Sequence, residues 1–300
     1  MMKKSKRSPL QSRSGIILRN IVVIGLIVNY AVFLAYPLIM AFIGSFSDWN
    51  ALIGSINIIG TDHYIRLFND TLFWRSMWNT FIFTVVVTIA RGTIGLLIAV
   101  AIYSSLIKYK SIFRTIFYMP VITPLVAISF VWMWIYNPQI GLANQLLGTR
   151  INWLLNPTYA LPSIMFMMTW KDFGFAVIIF LAGLYSMPKD CYEAAYIDGA
   201  NGRNVFRFIT MPLLKPITFF VIITSIIAYL QTFVPIFVMT SGGPGTMTYV
   251  ISYLIYHEAF NNFNFGYASA LALVLFVFIA SLTFISFKVA RGVGGNEVMQ

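Results

Sequence analysis

Three residues that carry charge lie inside otherwise apolar stretches of this chain: Arg91, Lys171 and Asp172. At the centre of a membrane helix each would cost about 2.5–3.5 kcal/mol to insert, so such residues face a cavity or a partner. Trp170 stands beside the second pair, and a later apolar run holds Tyr229, Gln231 and Thr232 at similar depth. An aromatic face with amide, hydroxyl and charged groups is the chemistry that accepts a polyhydroxylated solute, and the two cations would favour an acidic one. The competing reading is that Arg91 and Asp172, or Lys171 and Asp172, form buried pairs between helices or with another subunit. Neighbouring residues on a helix point about 100° apart, so direct neutralisation of Lys171 by Asp172 is not expected.

Other reactive side chains suggest no catalysis. His63 and His257 are isolated from further ligand types, and His257-Glu258 lacks the second histidine of a metalloprotease motif. The nine acidic residues are scattered, and Cys191 is the only cysteine, so no internal disulfide can form. The chain has no G-x-x-x-x-G-K-[ST] loop; Gly292, Gly294 and Gly295 follow an apolar run, not a strand, and make no phosphate cradle. No enzyme, bound cofactor or metal is expected.

The elements that must position these residues are membrane helices. The 300 residues are 59% hydrophobic and 10% charged, with a mean hydropathy of +0.81; a soluble domain carries about a quarter charged residues. Apolar runs predict spans over 20–46, 79–105, 113–137, 160–187, 217–240 and 265–289. The fold class is thus all-α, a polytopic membrane protein with six transmembrane helices. Lys3, Lys4, Lys6, Arg7, Arg13, Arg19, Lys108, Lys110, Arg114, Lys189, Arg203, Arg207, Lys215, Lys288 and Arg291 fall on one side of such a topology. Only Arg66, Arg75 and Arg150 fall on the other. The positive-inside rule then places both termini, and Cys191, in the cytoplasm. The net charge of +11 reflects this bias and not nucleic-acid binding. The organisation expected is a basic tail over 1–19, one transmembrane domain over 20–289 and a short tail over 290–300. The apolar stretch after the basic start is too long for a signal peptide, so the first span is expected to be retained. The outer loops mix Asp, Asn, Gly and aromatics, as in Asp48-Trp49-Asn50 and Asn261-Asn262-Phe263-Asn264, and read as interfacial segments.

One loop, 188–216, is too ordered to be a spacer. Asp190 is placed to cap a helix, with Glu193 three residues on; Ala194 and Ala195 leave one face smooth, and Gly199, Asn201 and Gly202 break it. A second helical stretch carries Val205, Phe206 and Ile209 and ends at Pro212 and Pro216. On physical grounds this helix–turn–helix is either a docking knob for a partner's groove or an amphipathic hairpin on lipid. Its residues favour the first. Glu193-Ala194-Ala195, three residues, Gly199, nine residues, then Ile209 and Pro212 resemble the EAA loop of binding-protein-dependent ABC transporter permeases. Met211 stands where that pattern has Leu, a substitution of similar size. Ser241-Gly242-Gly243-Pro244-Gly245, Glu258-Ala259-Phe260 and Phe265-Gly266-Tyr267-Ala268-Ser269-Ala270 resemble further segments of the six-helix sugar permeases. So do Asn79-Thr80 and Phe113-Arg114 with Pro120 and Pro124.

This resemblance implies half of the channel of an ATP-driven carbohydrate importer in the inner membrane. It implies that Glu193, Ala194, Ala195, Asp198 and Gly199, in the loop between the fourth and fifth helices, couple to an ATP-binding subunit. ATP and magnesium would be held by that ATP-binding cassette subunit, a second, similar permease would complete the path, and a separate sugar-binding protein would capture solute outside. Trp170, Lys171, Asp172, Tyr229, Gln231, Thr232 and Arg91 are the candidate path residues. A stand-alone secondary transporter or channel for small polar solutes is the alternative; it explains the helices but not the loop.

Overall fold

Apolar runs long enough to cross a bilayer must satisfy their own backbone hydrogen bonds as helices. The computed structural model, which describes residues 13–50, 54–104 and 107–294, shows where those helices run straight and where they break. The basic residues Lys3, Lys4, Lys6 and Arg7, and Gly295 in the final tail, lie outside the described residues.

In chain order the elements begin with α1 (Arg13–Tyr30), which continues through a π-helical turn at Ala31–Ala35 into α2 (Tyr36–Gly44). A short hairpin of β1 (Ser47–Asn50) and β2 (Ser55–Ile58), antiparallel with Ser47 opposite Ile58, follows within this all-α fold. Then come α3 (Asp62–Asn69), α4 (Thr71–Tyr103), α5 (Lys110–Ile122), α6 (Leu125–Ile135), α7 (Leu142–Leu147) and α8 (Ala160–Ser186). They are followed by α9 (Lys189–Ile197), α10 (Gly202–Val205), a π turn at Phe206–Thr210, α11 (Met211–Leu213) and α12 (Lys215–Leu230). Last are α13 (Val234–Met239), α14 (Ile251–Tyr256), a π turn at His257–Asn261 and α15 (Phe265–Gly294).

Among the described residues, four stretches are long and apolar enough to cross a membrane as single helices: Ile16–Gly44, Thr71–Tyr103, Ala160–Ser186 and Phe265–Lys288. Two further pairs qualify only as bent spans. Lys110–Ile122 and Leu125–Ile135 meet at 97°, and Gly202–Leu213 meets Lys215–Leu230 at 61°. The sequence expectation of one helix over 113–137 is therefore corrected. Pro124 is the N-cap of α6, and the residue before a proline is driven out of the helical region, as Thr123 is at ψ 136°. The helix expected over 217–240 is likewise divided at Gln231–Phe233, just ahead of Pro235. The second span starts eight residues earlier than expected because Asp70 caps α4, accepting a hydrogen bond from the Leu72 amide at 2.8 Å.

α8 is the central helix, packed against α4, α5 and α12. Small residues permit this closeness, as expected where helices associate by packing and not by the hydrophobic effect. A methyl group on Gly95 of α4 would lie 3.2 Å from the backbone of Ala176 and Val177; one on Gly174 of α8 would overlap the Phe117 carbonyl of α5. The other ends of these helices carry the loops. The expected interfacial runs meet there, with Asn50 bridged to Asn264 in antiparallel fashion.

Within the loop between α6 and α8, one side chain organises the backbone. Asn144 Nδ2 donates to the Pro138 and Ile151 carbonyls, at 3.1 and 2.9 Å. Its Oδ1 accepts from Thr149 Oγ1, the Ile151 amide and Trp153 Nε1 at 3.1, 3.2 and 2.9 Å. Asn144→Ala strands these partly buried groups and is expected to cost about 3 kcal/mol. A lowered thermal midpoint in detergent, with faster proteolysis between residues 137 and 159, checks it.

Candidate functional site

The polar residues of the spans converge where α4, α8 and α12 meet. Arg91 Nη1 donates to Ser225 Oγ at 2.9 Å, and its guanidinium lies 5.0 Å from the Phe175 ring centre and 5.9 Å from that of Tyr229. Tyr229 donates its hydroxyl to Asp172 Oδ2 at 3.1 Å. Lys171 Nζ lies 3.3 Å from Asp172 Oδ1 and donates to the Val121 carbonyl at 3.3 Å. The expectation that Lys171 and Asp172 would not neutralise each other is thus corrected. The Cα vectors diverge, but the flexible lysine stem carries its ammonium back to the neighbouring carboxylate.

Burial divides the group. Arg91, Lys171, Tyr229 and Thr232 are buried, Asp172 is half-buried, and Trp170 and Gln231 are exposed. Trp170 packs edge-on against Trp132 at 5.4 Å and walls a recess of about 510 Å³ in the crook of the α5–α6 bend, together with Ile116, Met119, Pro120 and Val131. Gln231 caps the end of α12 at the break in the fifth span.

At the far ends of α8 and α12 the loop predicted as a helix–turn–helix is one. The capping box is not formed: α9 begins at Lys189 after Pro188, which places Asp190 in the first turn, where it faces the positive end of the helix dipole. Asn201 caps α10 instead, accepting from the Asn204 amide at 2.9 Å. The end of α9 explains Gly199. The Gly199 amide donates to the Tyr196 carbonyl at 3.1 Å and the Ala200 amide to the Ala195 carbonyl at 2.9 Å. This Schellman closure needs a left-handed residue, and Gly199 has φ +77°. Tyr192 ties the two arms, its hydroxyl 2.9 Å from Met187 Sδ and 3.2 Å from Thr210 Oγ1. What stays exposed is Glu193, Ala194, Asp198 and Gly199, flanked by Tyr196 at 60% and Ile197 at 85% exposure. Two large side chains and two acids thus stand exposed together on one turn. Tyr196 and Ile197 were not singled out in the sequence; their apolar character in so polar a loop was the available signal.

The glycine-rich and aromatic segments near the opposite ends are packing devices. Gly242, at φ +81°, lies against the Tyr249 and Tyr253 rings, and Tyr253 donates to the Ser241 carbonyl at 2.8 Å. Burial raises the Tyr249 and Tyr253 phenols above their ordinary range, with Glu258 adding to the effect at Tyr249. Asn79 Nδ2 donates to the Met247 and Tyr249 carbonyls at 2.9 and 2.8 Å, and Thr80 Oγ1 accepts from the Ile251 amide at 2.9 Å. A side chain on Gly266 would overlap the Ser47 carbonyl. Tyr267 donates to Asp70 Oδ2 at 2.7 Å, with Arg66 4.1 Å over its ring. The loops between α2 and α4 and between α13 and α15 are thereby locked to the helix ends. His63 Nε2 lies 3.0 Å from the Ser47 carbonyl, and among the described residues no group of three or more His, Cys, Asp or Glu could hold a metal ion.

Residues 91–294 match the family described as binding-protein-dependent transport system inner membrane component. The chain is 33% identical over 269 residues to the lactose transport system permease protein LacF of Rhizobium radiobacter, covering 87% of this chain and 90% of that one. It is 35% identical over 240 residues to the trehalose/maltose transport system permease protein MalF of Thermococcus litoralis, covering 78% and 80%. Its fold matches a chain of a bacterial ABC transporter involved in the import of the acidic polysaccharide alginate, with a TM-score of 0.80 at 24% identity over 93% of this chain and 96% of that one.

Proposed function

The chain belongs to the binding-protein-dependent transport system inner membrane components, and from that membership we propose that it is the permease subunit of an ATP-driven carbohydrate importer, forming half of the translocation path. Relatives named for lactose, trehalose and maltose, and multiple sugars support the carbohydrate class. As such a permease it is a multi-pass inner-membrane protein without catalytic residues or cofactors of its own. It works with ATP-binding cassette subunits, which hold ATP and magnesium, and with an extracytoplasmic solute-binding protein. A second permease subunit supplies the other half of the path.

The single observation that carries the coupling role is the exposed, Schellman-closed turn at Ala195–Ala200. Glu193, Ala194, Ala195, Asp198 and Gly199 are proposed to enter a groove of the ATP-binding subunit, with Tyr196 and Ile197 as apolar anchors. In the topology this requires there are six spans, the third formed by α5 and α6 across their bend and the fifth by α12 and α13 across the break at Gln231–Phe233, while the 188–216 loop is cytoplasmic and so are both termini. The tails over 1–19 and 290–300 then flank one transmembrane domain. Helical backbone from Arg13 and as far as Gly294 extends that domain's first and last helices into them.

For the path, Trp170, Asp172 and Gln231 are proposed to face the solute, with Trp170 offering a ring face and Gln231 an amide at a helix break. Arg91, Lys171, Tyr229 and Thr232 stand behind them. Discontinuous helices at the midplane are where transporters place their sites.

Purification of the tagged chain from its native host in mild detergent is expected to bring down one similar permease and an ATP-binding cassette protein, identified by mass spectrometry. Recovery of the chain alone, under conditions that retain other ABC complexes, would refute the reading.

A further inference from the structure

Both broken spans are tied to one point on an unbroken helix. In the third span α5 stops at Ile122, so the Val121 carbonyl is one of the last four without a partner further along its own helix. In a bilayer such a group is costly to leave unpaired. Lys171 Nζ reaches it across the helix interface at 3.3 Å and brings a positive charge to the negative end of the α5 dipole. One turn away on α8, Gly174 lets the Phe117 carbonyl and the Tyr118 Cα of α5 come to where a side chain would otherwise stand. That contact is what brings Lys171 within reach. In the fifth span α12 stops at Leu230, and Tyr229, in its last turn, donates to Asp172 Oδ2 at 3.1 Å. Asp172 Oδ1 in turn holds Lys171 at 3.3 Å.

We propose that the Lys171–Asp172 pair is a clamp that positions both helix breaks, Lys171 holding the α5–α6 bend and Asp172 the end of α12, and that Lys171 does not select an acidic solute. Lys171 is buried, and its ammonium is already engaged by a carboxylate and a helix-end carbonyl. The positioning role stands on these contacts alone; its consequence for uptake rests on the permease reading above.

The test uses the assembled transporter with Cys191, the chain's one cysteine, replaced by serine and spin labels at two exposed positions, Ile116 on α5 and Val131 on α6. Lys171→Met is expected to widen and shift the 116–131 distance distribution, and Lys171→Arg to keep it narrow. Tyr229→Phe is expected to leave that pair unchanged and to widen instead a pair at Ile222 and Phe237, across the break in the fifth span. If Lys171→Met fails to assemble, Lys171→Met with Asp172→Asn, which removes both charges of the pair together, carries the same expectation. An unchanged 116–131 distribution in Lys171→Met, or in the double variant where that one is needed, overturns the clamp, as does equal widening by Tyr229→Phe. Uptake by Lys171→Met is expected to fall alike for neutral and uronic oligosaccharides. A loss confined to the uronic ones would make Lys171 a solute contact and overturn the positioning role. If the unmutated complex takes up neither, the permease reading fails while the distance measurements still decide the clamp.

Discussion

Replacing Gly199 with tryptophan is expected to abolish ATP-driven uptake while leaving the protein in the membrane at its normal level. The two halves of this expectation come from different features of one position. Within the chain there is room: a methyl group on Gly199 meets nothing within 4 Å. The local cost is that of a side chain in a left-handed conformation, about 1–2 kcal/mol, in an exposed turn that no core helix depends on. Outside the chain the indole projects from the turn between Glu193 and Asn201, the surface proposed to lie in the ATP-binding subunit. Disrupting the centre of such an interface costs about 3 kcal/mol or more, which is more than a hundredfold in affinity. Gly199→Ala separates the contributions, because it carries the conformational cost with little bulk and should retain most uptake. Comparison of transport and of co-purified ATP-binding subunit across the two variants reads the result directly. Normal uptake by Gly199→Trp would remove the coupling role from this loop.

Gly174→Leu is expected to have the opposite profile, failing in assembly and not in coupling. Its side chain would occupy the place of the Phe117 carbonyl, and backbone in the middle of α5 cannot turn aside as a side chain can. α5 must then move off α8, which withdraws Val121 from Lys171 and opens the tight packing around Phe173 and Phe117. Overpacking of this kind costs about 1–3 kcal/mol, and more where the obstacle is main chain. A fall in thermal midpoint and in yield of monodisperse protein is the expected readout. Gly92→Ala on α4 is the control, since a methyl group there meets nothing within 4 Å; it should be neutral or stabilising by up to about 1 kcal/mol through helix propensity.

The straight spans were legible because hydropathy reports composition, and composition alone decides whether a 20-residue stretch can sit in lipid. The breaks were not legible in the same signal. Thr123, Pro124 and Leu125 are flanked by Val121, Ile122, Val126 and Ala127, so the apolar run passes through a 97° bend without interruption. Pro120 shows why proline alone would mislead: it lies inside α5 and leaves that helix intact, while Pro124 ends it. The fifth span offered a weaker cue in Gln231 and Thr232, polar residues that read as path-facing when one of them also caps a helix.

In the loop 188–216 the turn and its glycine were readable because a left-handed position leaves a mark in residue type. The cap was misread because Asp190 and Asn201 are both good cap residues, and only the backbone decides which one precedes a helix. The contact of Lys171 with Asp172 and Val121 depends on side-chain reach across an interface set by Gly174, which no spacing rule along one helix contains. Similarly, Asp70 was unremarkable in sequence, yet it caps α4 and receives the Tyr267 hydroxyl from 197 residues away.

The central claim is that this chain imports carbohydrate only as part of an ATP-driven assembly. It is tested most directly by placing the purified chain, its partner permease and the ATP-binding subunits in liposomes, with the solute-binding protein and a labelled oligosaccharide outside and ATP inside. Accumulation is predicted only when ATP, the binding protein and all the subunits are present, and it should vanish with a non-hydrolysable nucleotide. Uptake by liposomes containing this chain alone, indifferent to ATP, would contradict the account and identify a self-contained transporter.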